Sequence, residues 1–74
     1  MTQPVDADEL LTRMRGARDW AAREAERKTD LTHTLRSEDR QTEAGDADVE
    51  ARVFRSICVV LDEILQPGSH SDRA

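Results

Sequence analysis

The chain predicts an all-α fold: a helical hairpin of two antiparallel helices that dimerises into a four-helix bundle. Three observations lead there. Helix-forming residues dominate, and only three glycines and two prolines interrupt 74 residues. Apolar residues recur at steps of three and four, the period of an amphipathic helix, and strand-favouring aromatics are nearly absent. The most apolar stretch, VFRSICVVLDEIL from Val53 to Leu65, is too wide on a helix for a single neighbour to cover.

The first helix is announced at VDADEL. Asp6 stands as N-cap and Glu9 at N3, as in a capping box, while Val5 and Leu10 occupy the two positions of a hydrophobic staple. Asp8 and Glu9 suit the positive end of the helix dipole. From there Leu10, Met14, Ala17, Ala21, Ala25, Leu31 and Leu35 gather on one side, with Asp8, Arg15, Asp19, Arg23, Glu26 and Asp30 opposite. The spacing resembles a heptad seam, interrupted by Glu24 and Lys28, which are four apart in the favourable order and are expected to pair with each other. Asp19 and Arg23 form a second such pair. Ala17, Ala21 and Ala25, beside Gly16, permit close approach of another helix; a helical glycine otherwise costs about 1 kcal/mol relative to alanine.

KTDLTHTLRS carries residues that compete with helical hydrogen bonds, yet Leu31 and Leu35 keep the register, so helix 1 is expected over about 7–36. A connection over about 37–46 follows, in which Gly45 suits a helix C′ position and Asp46 or Asp48 an N-cap. Helix 2 is expected over about 47–65, ended by Pro67-Gly68. A single hairpin domain then spans 6–66, between an N-terminal extension at 1–5 and a polar, disordered tail at 67–74.

Around helix 2, Val49, Val53, Phe54, Ile57, Cys58, Val60, Leu61, Ile64 and Leu65 cover about half the circumference, leaving Arg52, Arg55, Asp62 and Glu63 for the rest. One packed helix hides a stripe of about 100°, so part of this arc stays open. Leu, Ile, Val and Phe make up only 14 of 74 residues, and scaffolds this small need reinforcement by disulfides, a metal or oligomerisation. The single cysteine removes an intrachain disulfide and a cysteine-rich zinc site. Oligomerisation remains, with Val53, Phe54, Ile57, Cys58, Val60, Leu61, Ile64 and Leu65 as the dimer or partner interface. Trp20, on the flank of helix 1, either closes the edge of the bundle or anchors a partner. The architecture resembles that of Rop-like dimeric hairpins, without a shared motif.

No constellation in the sequence suggests catalysis, a cofactor or a metal. Cys58 lies on the apolar arc, where a free cysteine behaves as a small hydrophobe. His33 and His70 have no Cys, Asp or Glu four residues away to form a ligand pair. No hydroxyl stands with a base, and no glycine-rich phosphate loop is present. A net charge of −5, with 16 acids against 11 bases, weighs against phosphate attraction, and Arg13, Arg15, Arg18, Arg23 and Arg27 scatter around the helix among acids. Ten arginines to one lysine suggest a GC-rich bacterial or phage source. The start MTQPVDADEL has neither the basic nor the apolar region of a secretory signal. The longest apolar run, ICVVL, is far short of the roughly 20 residues of a membrane span, which makes cytoplasmic the expected location.

The expected function is a non-enzymatic helical protein–protein interaction module, a homodimer that regulates or scaffolds a protein partner whose identity the sequence does not reveal. Two alternatives come from other classes. An acidic inhibitor or nucleic-acid mimic, such as a phage-encoded decoy, would present DADE, SED and EAGDADVE to a basic groove. A Rop-like dimer would combine arginines from two copies into a nucleic-acid-binding patch.

Overall fold

A computed structural model describes residues 6–68. The extension at 1–5, with Val5 of the expected staple, and the tail beyond Gly68, with His70, lie outside the described residues. Helix α1 spans Ala7–Ser37 and helix α2 spans Gln41–Leu65, and the two pack against each other. No strand occurs among the described residues.

The start of α1 is capped as its sequence dictates. Asp6 is in extended conformation and its carboxylate accepts the Glu9 backbone N–H at 2.7 Å, satisfying one of the orphan donors of the first turn. Glu9 turns its own carboxylate to Arg13, at 2.8 Å, instead of completing the box. The helix survives its threonine-rich section because the hydroxyls find acceptors inside it. Thr29 donates to the Ala25 carbonyl at 2.9 Å and Thr32 to that of Lys28 at 2.7 Å.

The connection is far shorter than the sequence suggests. Only residues 38–40 separate the helices, and α2 begins at Gln41, not near 47. Asp39, at φ 60°, takes the left-handed conformation that ends α1. The Arg40 N–H then bonds the Leu35 carbonyl at 2.9 Å and the Asp39 N–H that of Arg36 at 3.1 Å, the two bonds of a Schellman motif. Asp39 therefore does what Gly45 was expected to do. Gly45, Asp46 and Asp48 lie inside α2. Tertiary burial explains the reversal: Ala44 and Ala47 pack with Leu35 at the closed end of the hairpin, which outweighs the weak local preference of Gly and Asp against helix. Arg40 stands at the N-cap without a side-chain cap bond, its guanidinium paired with Glu38 and Glu43. At the other end the Gly68 N–H donates to the Glu63 carboxylate at 2.6 Å, just past Leu65.

The helices meet through small side chains. The buried residues are Ala21, Ala25, Thr32 and Leu35 of α1 with Ala44, Ala47 and Ala51 of α2. Five of these seven are alanines, each adding a single methyl group worth on the order of 0.8 kcal/mol. Thr32, whose hydroxyl is satisfied within its helix, takes the inward position, and Leu31 faces out. Leu10 and Ala17 of the expected seam are also exposed, and Met14 is half-buried.

The antiparallel register is pinned at the rims of this alanine contact. Arg18 reaches Asp62 at 2.8 Å and Lys28 reaches Glu50 at 2.7 Å. Arg55 donates to the Thr29 hydroxyl, and the Cys58 thiol lies 3.6 Å from the Arg18 carbonyl. The expected Glu24–Lys28 and Asp19–Arg23 pairings are thus replaced. Lys28 crosses to α2, Glu24 pairs with Arg27 at 3.3 Å, and Asp19 with Arg18 at 3.5 Å. A cross-helix carboxylate within reach of Lys28 is something no intrahelical spacing rule can anticipate.

Candidate functional site

The two rims of the hairpin differ in chemistry. One groove, about 470 Å³, carries Arg18, Glu26, Thr29, Asp30, Arg55 and Cys58, so both charge signs and the cross-helix hydrogen bonds lie on this side. Asp62, by its hydrogen bond and its charge, holds the Arg18 guanidinium above its already high ordinary range.

The opposite side is apolar along α2, with the Lys28–Glu50 ion pair spanning the helices at its edge. Val53, Ser56, Ile57, Val60 and Leu61 line a shallow groove of about 420 Å³. A second hollow beside it lies between Glu24 and Lys28 of α1 and Val49, Glu50, Val53 and Phe54 of α2. Trp20 joins this face, packing its ring edge-on against Phe54 with centroids 5.4 Å apart and planes at 84°, a pairing worth about 0.5–1.5 kcal/mol beyond its burial.

Helical spacing explains why α2 has so much to spare. Ala44, Ala47, Ala51, Phe54, Cys58, Leu61 and Leu65 follow one another at alternating steps of three and four, and this seam points to α1. Val53, Ile57, Val60 and Ile64 follow at four, three and four, a second seam that points away. All four are exposed, Val60 by 59% and Ile64 by 51%, whereas Ala51 in the inner seam is 1% exposed.

The eight residues expected at an interface therefore divide. Val53, Ile57, Val60 and Ile64 form the outward seam. Phe54, Cys58, Leu61 and Leu65 are half-buried and belong to the inner one. Trp20 remains 50% exposed while touching α2, so it borders the apolar face instead of standing apart from it. Leu31 and Val49 were not singled out for an interface, yet both are exposed; the signal lay in their spacing, Leu31 eleven residues from Trp20 and Val49 four from Val53. Val59, exposed by 45%, falls on the polar side.

His33 is exposed. Among the described residues no three His, Cys, Asp or Glu are grouped to hold a metal ion, and no helix is long and apolar enough to cross a membrane. Compared with known proteins, the chain matches no family model, no curated protein and no solved structure.

Proposed function

We propose that the protein is a non-enzymatic helical interaction module that works as a homodimer and regulates or scaffolds a protein partner. One observation carries this reading: apart from Leu35 the buried side chains of the hairpin are small, and several of its large apolar ones are exposed. Five of the seven buried residues are alanines, while Trp20, Val53, Ile57, Val60 and Ile64 are open to solvent on one face. A contiguous apolar face of this kind marks an interaction surface. Two hairpins packed face to face form a four-helix bundle of twofold symmetry, with the polar rims left outside for a partner.

The charge distribution favours this over the two alternatives. Arg13, Arg18, Arg27, Arg40 and Arg52 are each paired with a carboxylate. That interleaving argues against both an uncompensated acidic decoy and a phosphate-tracking stripe.

Light scattering over a dilution series tests the reading. The expected mass is twice that of the 8.4 kDa chain, lost in Val60→Glu without loss of helix content. A monomer that binds an apolar dye would direct the face to a different protein and overturn the homodimer.

A further inference from the structure

We propose that the outward seam of α2 is covered by the same seam of a second copy running antiparallel to it, with Ile57 against the partner's Val60 and Val53 against the partner's Ile64. The proposal rests on the homodimer reading above and adds the direction and register of the contact.

Three observations converge on it. The first is the order of the seam itself. Val53, Ile57, Val60 and Ile64 are spaced four, three, four, a series that reads the same from either end. Reversing one copy sets each valine opposite an isoleucine, giving layers of equal volume with β-branched side chains at every position. A parallel pairing would place valine on valine and isoleucine on isoleucine, giving thin and thick layers in turn.

The second is charge. Continued toward the N-terminus at the same spacing, the seam runs through Glu50 and then Asp46, both exposed. In a parallel pair Asp46 would face its own copy, like charge on like, and so would Glu50, whose charge Lys28 partly offsets, with the two helix dipoles aligned as well. In the antiparallel register Glu50 comes opposite the partner's Pro67, beyond the last residue of that helix, Leu65. Both acids then lie clear of the partner's α2.

The third is area. The open parts of Trp20 and the four seam residues, 38–59% of each, with their half-buried neighbours, come to roughly 500–600 Å² per copy, or roughly 1,000–1,200 Å² for two, which reaches the size a specific interface needs. Trp20 contributes at the centre. Arg18 pairs with Asp62 and Trp20 packs on Phe54, which sets the indole level with the middle of the seam, so the two tryptophans of a dimer flank its twofold axis.

Single cysteines decide the register, introduced into Cys58→Ser so that no other thiol is present. Val53 and Ile64 are eleven residues apart, about 17 Å along a helix. In the antiparallel pair Val53→Cys is thus far outside disulfide range of its own copy but adjacent to Ile64→Cys on the other chain. Oxidising an equimolar mixture of the two variants is expected to give the mixed disulfide as the main product, at least tenfold over either homodisulfide. The emission of Trp20, the only tryptophan, is expected to shift to the red on dilution through the dissociation range.

A dominant Val53→Cys homodisulfide would show a parallel pair and overturn the register. A dimer by light scattering that forms neither product would overturn it also, while leaving the homodimer standing. A monomeric mass for the Cys58→Ser parent and for the native chain would overturn both.

Discussion

Replacing Gly16 and Gly45 by alanine is expected to stabilise the hairpin. Both lie inside helices, where glycine costs about 0.5–1 kcal/mol relative to alanine because its unfolded backbone is freer. A methyl group built at either position meets no atom within 4 Å, so no steric term opposes the gain. The two sites sit at opposite ends of the hairpin, more than about 20 Å apart at 1.5 Å per helical residue. Their effects should therefore add. The double variant is expected to gain about 1–2 kcal/mol, and each kilocalorie raises Tm by about 4–8 °C in a domain of this size. The assay is thermal unfolding followed by circular dichroism, at one fixed protein concentration, since association contributes to apparent stability by mass action. A fall in Tm for Gly16→Ala would refute the reasoning. It would mean that another helix approaches the back of α1 at Gly16, the close-packing role its sequence context allowed, and would count against the proposed contact through the apolar face.

Other changes probe the remaining determinants of the fold. Asp6→Ala removes the acceptor of the Glu9 N–H and should cost about 1 kcal/mol, seen as a lower Tm with faster amide exchange confined to the first turns. Ala21→Leu forces a larger side chain into a position 0% exposed; overpacking of this kind costs about 1–3 kcal/mol, and an unchanged Tm would show that the helices are not in alanine contact there. At Asp39, held at φ 60°, Val should cost about 1–2 kcal/mol while Gly matches or exceeds the native Tm; equal effects of the two would remove the Schellman turn from the account. Val60→Glu should halve the solution mass and leave the helical signal of the hairpin in place.

Much of the local structure can be read from neighbouring residues. Asp6 and Glu9 mark the start of α1, Pro67 and Gly68 close α2 after Leu65, and the three-and-four spacing from Val49 to Leu65 announces an apolar arc wider than one helix can cover. These features depend on hydrogen bonds and side-chain directions within a few residues, which sequence order determines directly. The connection resisted the same approach. Gly45, Asp46 and Asp48 look like a helix boundary, yet they are helical because Ala44 and Ala47 can be buried against Leu35, a residue on the other helix.

The same distinction runs through the apolar face. Sequence alone determined that α2 carries an apolar arc over about half its circumference, because helical geometry assigns each residue its direction. Only the packed hairpin divided that arc into a seam that faces α1 and one that does not. The alanines of α2 continue into Phe54, Cys58 and Leu61, so α1 docks where the methyl groups let it come near. Val53, Ile57, Val60 and Ile64 are left outside, and the partners of Lys28, Arg18 and Trp20 follow from that choice. Such pairings arise from the distance between two helices, a quantity that no spacing along one chain contains.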